Sequence, residues 1–379
     1  MNNFSYLIVG SGIFGATVAE RLAARNKKVL VIDRRPHLAG NIYSETDEET
    51  GIELHKYGSH IFHTESDEVW NYITQFADFN NYIHTVNTRY RGKLYPMPIN
   101  LDTINLLYGT NLSAEEAEKF IKSEAEKDCK ELELTNPKNF EEQGISLVGK
   151  KLYEAFLKNY TEKQWHTSAK NLSADILKRI PVRFSHDNRY FMTAKYQGIP
   201  TKGYTKLVEA MLSSENIEVR LNTAFKDIEK DLPENIKIIY CGQVDELFDY
   251  RLGVLPYRSL RFEEERTENS LGEAVINEAD KEVPYTRSHD PKYYQIHQPE
   301  VLNNKISIIS REYPTDFEKD GEAYYPVNNE KSEQLYQKYV ALAKEKYPNM
   351  ILGGRLGAFR YWDMDIAVKN ALDLATILT

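Results

Sequence analysis

Gly10, Gly12 and Gly15 stand in the run GSGIFG, directly after the apolar stretch SYLIVG at 5–10. Three glycines at that spacing, between a strand and a helix, let a backbone receive a pyrophosphate. Gly10 makes the tight turn, Gly12 lets phosphate approach N–H groups at a helix N-terminus, and Gly15 permits close packing of helix on strand. The following run, ATVAERLAARN, carries Val18, Leu22 and Ala23 at helical spacing, and a second strand, KKVLVID, ends at Asp33, 18 residues after Gly15. A carboxylate there accepts from a ribose hydroxyl and argues against a 2′-phosphate. Strand, glycines, helix, strand and acid in register predict a dinucleotide-binding unit; a tight turn with no ligand is the bland alternative.

The next residues bear on which dinucleotide. After Asp33 and the basic pair that starts at Arg34 comes a second glycine turn at Gly40–Asn41, then IELHKYGSHIFHT with His55, His60 and His63. At the other end, ILGGRLGAFRYWDMD leads into the amphipathic run IAVKNALDLATILT. Glycine clusters at both ends of a chain, bracketing one nucleotide, fit a discontinuous FAD-type domain better than an NAD one. A plain strand–helix cap at Asp363 or Asp365 is the alternative. His60 and His63 lack the further ligands that a metal site of three or four requires. No GxSxG, HExxH or CxxC pattern supports a hydrolase or zinc reading.

Arginines beside aromatic residues form the second chemical signal: Arg179 and Arg183 in KRIPVRF, Arg287 in VPYTR, Arg355 and Arg360 in GGRLGAFRYWD. A guanidinium is a rigid fork of donors that matches phosphate oxygens and stays charged at any working pH. For any single arginine, pairing with one of the 57 acids is the competing reading. Tyr153, Tyr160, Trp165, Tyr190, Tyr324, Tyr325 and Tyr361 lie in segments rich in Pro, Gly or Arg, outside the periodic spacing of a core stripe.

The elements that must position these residues follow from pattern. The chain has 379 residues, 41% apolar and 28% charged, a net charge of 48 − 57 = −9, and 26 Tyr against 15 Phe. That length suggests two or three lobes. No apolar run reaches the ~20 residues of a membrane span, and the N-terminus has no signal-type pattern. Two cysteines fit a reducing cytoplasm, and the acidic balance disfavours nucleic acid. Residues 66–77 read as a capped helix, 82–98 as a hairpin turning at Arg91–Gly92, and 101–178 as helices, with a capping box at Ser113 and Glu116. VRFSHDNRYFMTAKY reads as strands. So do YRSLRFEEER, EAVINEA, YYQIHQ and KISIISREY within 256–311, while GYTKLVEAMLSS and SEQLYQKYVALAKEKY read as helices. The expected fold is α/β: a discontinuous Rossmann-like FAD-binding domain (1–80, 202–250, 340–379), an inserted helical lobe (100–178), and an antiparallel β-sheet domain (81–99, 180–201, 251–339).

The runs HKYGSHIFHT, YTEKQW, LKRIPVRF, VPYTR, EAYYPV and GRLGAFRYWDMD occur in this order from residue 55 to residue 365. In them the chain resembles the prokaryotic UDP-galactopyranose mutase family, over nearly its whole length. The resemblance implies FAD, active when reduced, and a cytoplasmic isomerase interconverting UDP-galactopyranose and UDP-galactofuranose. There the N5 of reduced flavin is the nucleophile at the anomeric carbon, with no net redox change, and a cellular reductant such as NAD(P)H and a homodimer are further implications. It places Arg179, Arg287 and His63 in catalysis, the arginines on the diphosphate and His63 near the flavin's reactive edge. It assigns substrate contacts to Phe156, Tyr160, Trp165, Tyr190, Tyr325, Tyr361 and His84. Cofactor contacts fall to Gly10, Gly12, Phe14, Gly15, Asp33, Arg34, Gly40, Asn41, His60, Ile61, Arg355, Asp363 and Met364; no metal is implied. An FAD oxidoreductase of the amine-oxidase kind and a non-catalytic nucleotide-sugar-binding flavoprotein are the rival readings.

The chain departs from the family's pattern at LAGN, 38–41, where Ala39 replaces a glycine and is tolerated if its φ is negative. It departs again at Gln243 in place of proline, and at His84 where some members have Asn. The segment 165–180 is expected to be mobile. Tryptophan fluorescence should therefore change on titration with UDP in the wild type and not in Trp165→Phe; an unchanged wild-type signal at saturating UDP counts against that motion.

Overall fold

Residues 3–179, 182–319 and 321–378 are described by a computed structural model; the side chains of Lys178 and Arg179 lie outside the described residues. The chain divides into two units, Met1–Tyr82, Ala194–Leu260 and Thr315–Thr379 in one, Ile83–Thr193 and Arg261–Pro314 in the other.

The first unit is built on a five-stranded parallel sheet. Its order is Met350–Leu352, Lys237–Tyr240, Tyr6–Val9, Val29–Ile32, Ile217–Arg220. Tyr6 is in register with Lys237 on one side and Val29 on the other. A parallel sheet is covered on both faces, so its strands are apolar throughout rather than alternating. Leu7, Ile8 and all four residues from Val29 to Ile32 are fully buried. Each such side chain contributes roughly 1.5–3 kcal/mol relative to exposure. The helices Ile13–Ala23 and Met364–Ile377 pack on each other. A cluster that joins Leu7, Leu30 and Ile238 to Phe225, Phe248, Tyr336 and Tyr339 brings in the helix Glu330–Lys346. The first and last segments of the chain thus meet in one layer.

The expected glycine roles hold at two positions. Gly10 has φ +112°, and a Cβ on Gly15 would lie 2.0 Å from the Gly10 carbonyl oxygen, so strand and helix come as close as bare backbone allows. Ala39 differs from expectation: its φ is +73°, not negative, and its backbone bridges to Gly12 while its methyl is buried. The left-handed region costs an L-residue about 1–2 kcal/mol. The turn into Gly40–Ile42 holds Ala39 there despite that cost.

The second unit carries the hairpin Val86–Tyr90/Lys93–Met97 and the helices Leu101–Tyr108, Ala114–Glu131 and Phe140–Leu152. Ser113 and Glu116 form the expected capping box. A π-helical turn, Tyr153–Lys158, leads into Asn159–Trp165. Val275–Glu278 lies parallel to Val86–Tyr90 and antiparallel to Arg287–His289, which in turn pairs with the strand beginning at Ser307.

Two expected strands are absent. Residues 182–195 form bends: the Arg183 guanidinium takes the carbonyls of Asp187 (3.2 Å), Arg189 (2.6 Å) and Tyr190 (3.5 Å), acceptors that a sheet ladder would need. Of YYQIHQ, the first two residues end a 3-10 turn, Pro291–Tyr294, because Pro291 has its φ preset for a turn and the Tyr293 N–H donates to the Asp290 carbonyl. No helix among the described residues is long and apolar enough to cross a membrane.

Two glycine variants separate packing from access. Gly15→Ala should destabilise the protein by about 1–3 kcal/mol in denaturant unfolding, as overpacking does. Gly12→Ala should leave the stability of the ligand-free protein unchanged, because a Cβ there meets nothing within 4 Å. Equal stabilities for both variants would show that the strand–helix approach is not what Gly15 secures.

Candidate functional site

In the first unit a cleft runs along the C-terminal ends of the parallel strands. Gly10, Gly12, Phe14, Gly15, Asp33, Arg34, Gly40, Asn41, Arg355 and Met364 all line it, so both ends of the chain contribute to one site. Asp33 is held in place: Ser11 donates to Oδ2 from its N–H (2.8 Å) and its Oγ (2.6 Å), and the Arg35 N–H donates to Oδ1 (3.0 Å). Oδ2 is thereby saturated, and Oδ1, with one bond accepted, keeps a second lone pair for a ribose hydroxyl. Gly12, before the first turn of Ile13–Ala23, offers bare backbone at the positive end of that helix's dipole. Carboxylate, open glycine and helix N-terminus together fit a dinucleotide.

Some of the lining was not foreseen. Thr223, Ala224, Phe225 and Lys226 reach the cleft because the Thr223 N–H donates to the Asp33 carbonyl (2.8 Å). This stretch has no signature, since it is placed through main chain. Glu246 lines it too, 2.9 Å from Arg34 Nη1. Burial pushes the Cys241 thiol, also in the lining, up to about 12, so it is neutral packing at working pH. His60, Ile61 and Asp363 lie outside the lining: the His60 ring is 2.7 Å from the Gly58 carbonyl, Ile61 is buried, and Asp363 precedes the last helix without capping it through its side chain.

Beside the cleft, the Arg355 guanidinium sits over the Tyr325 ring at 5.4 Å, and the Tyr325 and Tyr361 rings are 5.3 Å apart. Tyr361 is exposed. Burial lowers the pKa of His63 from its ordinary value, against the pull of Asp363 and Asp365, so its imidazole is neutral at pH 7.

The second unit gathers another group around Arg287. Arg287 and Glu312 are directly opposite in adjacent strands, which puts both side chains on one sheet face, 3.8 Å apart. His289, two residues on and on the same face, lies 3.3 Å from the same carboxylate. From the helix Asn159–Trp165, the Tyr160 hydroxyl accepts from Arg287 Nη2 at 2.7 Å. Burial holds the Tyr160 phenol protonated despite that cation, so its own O–H remains a donor. Glu312, with Tyr160 and Tyr190, keeps Arg287 charged against burial. Arg287 Nε and Asn277 Oδ1, on paired residues of neighbouring strands, are buried with no partner among the described residues. Asn277 was not foreseen; only its register with Arg287 distinguishes it from any asparagine.

Tyr190 is exposed, with its ring 5.3 Å from that of His84, and its N–H donates to the His84 carbonyl. Phe156 is buried among Tyr95 and Tyr90, at 5.0 and 5.9 Å. Trp165 closes its helix before His166, at φ +50°. Arg179 ends a 3-10 turn, Ala174–Arg179, and its side chain lies outside the described residues.

Burial lowers the His289 pKa from the ordinary 6.5, against Glu312. The unfolded chain therefore takes up a proton near pH 6.5 that the folded chain refuses, and this contribution to stability is lost as pH falls through that range. From pH 7.5 to 5.5 the wild type should lose more unfolding free energy than His289→Gln. An equal loss would show that His289 titrates as it does in the unfolded chain.

The family model described as UDP-galactopyranose mutase matches residues 155–361, and a model of an NAD(P)-binding Rossmann-like domain matches 8–76. The chain is 38% identical to dTDP-fucopyranose mutase of Escherichia coli, covering 98% of this chain and 97% of that one. It is likewise 38% identical to a probable UDP-galactopyranose mutase of Klebsiella pneumoniae, over 99% and 94%. A solved structure of reduced UDP-galactopyranose mutase shares the fold, with a TM-score of 0.72 at 14% identity over 99% of this chain and 93% of that one. A putative protoporphyrinogen oxidase from Exiguobacterium sp. does so at 0.62 and 13%, over 100% and 99%. With the motifs in order, a family match across more than half of the chain and relatives similar from end to end, this chain belongs to the UDP-galactopyranose mutase family.

Proposed function

We propose that the chain is a flavin-dependent isomerase that interconverts UDP-galactopyranose and UDP-galactofuranose in the cytoplasm, with FAD in the cleft of the first unit. Arg287 carries this reading. It is a guanidinium kept charged by a carboxylate at 3.8 Å rather than neutralised by a close bidentate pair, with Nε unpartnered among the described residues. That suits a diphosphate and has no use in binding an amine, which favours the mutase over an amine oxidase.

Asp33 would hold the ribose of FAD, Gly10 and Gly12 its pyrophosphate, and Arg355 and Met364 its far side. When bound and reduced, FAD would supply a nucleophilic ring nitrogen at the sugar's anomeric carbon and be recovered unchanged. The protein's own part is charge and orientation. Arg287 and Arg179 would bind the diphosphate and stabilise the charge that develops on UDP as it departs. Tyr325 and Tyr361 would contact the diphosphate, Tyr160 and Phe156 the uridine and Tyr190 the nucleotide moiety, with His84 near the sugar or base and Trp165 in the segment over the substrate. A neutral His63 can accept or donate one hydrogen bond without adding charge. A cellular reductant such as NAD(P)H would keep the flavin active.

The purified protein should be yellow and should convert UDP-galactofuranose to UDP-galactopyranose after dithionite reduction, with no conversion when oxidised. No conversion under reducing conditions would overturn the reading. The same assay with the thymidine-diphosphate fucose pair decides between the substrates for which the two 38%-identical relatives are named. Arg287→Ala and Arg179→Ala should each cut turnover by at least about 10²-fold, as loss of transition-state charge stabilisation does. Near-wild-type turnover in either would remove that arginine from the diphosphate site.

A further inference from the structure

Lys163 stands three residues after Tyr160 on the helix Asn159–Trp165, and residues at that spacing share a helix face. Among the described residues its ammonium forms no ion pair with a carboxylate, although Glu278, Asp280 and Glu282 are close enough to favour its charge. Its Nζ donates to four main-chain carbonyls of one turn: Glu278 at 2.6 Å, Asp280 at 3.1 Å, Val283 at 3.1 Å and Tyr285 at 3.0 Å. An ammonium has three protons, so four acceptors saturate it and leave no donor for a ligand. Lys163 therefore does not itself touch substrate.

The turn it gathers joins Val275–Glu278 to Arg287–His289. Four carbonyl dipoles aimed at one point repel each other unless a cation occupies that point, as in an ion-binding loop. Among the described residues the turn's own backbone is braced by the Val283 N–H to Asp280 carbonyl bond, at 3.3 Å, with the Glu278 N–H donating to the Thr286 carbonyl at 2.9 Å at its end. From the hairpin, the Arg89 carbonyl takes the Ala279 N–H at 2.9 Å and the Arg91 N–H donates to the Asp280 carboxylate at 2.9 Å. Two residues after the last carbonyl held by Lys163 comes Arg287, and the guanidinium of Arg287 is met by Tyr160 from the same helix face. One helical turn thus grips the start of this strand twice, once by its main chain and once by its functional side chain.

We propose that Lys163 is a positioning residue for diphosphate binding: it fixes the turn 278–285 that delivers Arg287, while Tyr160 fixes the guanidinium itself. This rests on the reading of Arg287 as a diphosphate ligand. A guanidinium cannot replace the ammonium, because its donors are splayed in a plane and do not converge on four carbonyls.

The test uses the full-length holoprotein, with UDP as the probe in calorimetry and hydrogen–deuterium exchange as a second readout. Lys163→Met should weaken UDP binding at least about tenfold, yet by less than about twofold in an Arg287→Met background, the non-additivity expected of one residue acting through another. Amides of 279–287 should exchange faster in Lys163→Met, with those of the helix Ala114–Glu131 unchanged. Lys163→Arg, which keeps the charge and guards against a variant that fails to fold, should show the same pattern. Equal weakening in both backgrounds, or unchanged exchange in the turn while UDP binding is intact, overturns the proposal alone. Failure of the wild type to bind UDP overturns the diphosphate reading, and with it this role for Lys163.

Discussion

Arg287 is a cation that the fold must keep charged, hold still and leave partly unpaired. These demands conflict, because a close carboxylate would secure charge and position while consuming the donors. Glu312 resolves the conflict by distance: strand register puts it directly opposite, but at 3.8 Å. Position then has to come from elsewhere, from the Tyr160 hydroxyl at the guanidinium and from the turn that Lys163 holds. The antiparallel register supplies Glu312, the helix Asn159–Trp165 supplies Tyr160, and His289 shares the Glu312 carboxylate. Truncating Glu312 would leave a desolvated cation beside a histidine, a more damaging change than removing a surface ion pair.

The first unit meets a complementary demand with different means. A pyrophosphate needs N–H donors and no side chain in the way, which Gly10 and Gly12 in the turn after the first strand and the helix N-terminus directly behind them would supply. Asp33 is set by Ser11 and Arg35 before any ligand arrives, which leaves little reorganisation for binding. The same economy explains Ala39, where the backbone bridge to Gly12 keeps an alanine in a left-handed conformation that glycine would adopt freely.

The parts of this architecture legible in the amino-acid sequence are those in which side-chain type is the cause. Apolar runs at Tyr6–Val9 and Val29–Ile32 mark buried parallel strands, the glycine spacing marks the turn, and Ser113 with Glu116 marks a helix start. Parts caused by main-chain geometry were not legible. Thr223 to Lys226 reach the cleft through a backbone bond, and Asn277 gains its place from register with Arg287. Strands expected at VRFSHDNRYFMTAKY and YYQIHQ gave way because an arginine captured the carbonyls of one and a proline preset a turn in the other. Alternation is a local pattern, and both captures depend on what surrounds it.

Family membership and the dinucleotide cradle of the first unit fit a mutase that acts on a nucleotide sugar, and the reading of Arg287 as its diphosphate ligand is the proposal that most needs testing. On that proposal Arg287 recognises phosphate and nothing else of the ligand. Calorimetric titration of wild type and Arg287→Met with UDP and with uridine tests it most directly. The variant should lose at least about tenfold in affinity for UDP, the loss expected when a charge-assisted contact is removed, and none for uridine. An equal loss for both ligands, or no loss for UDP, would contradict it.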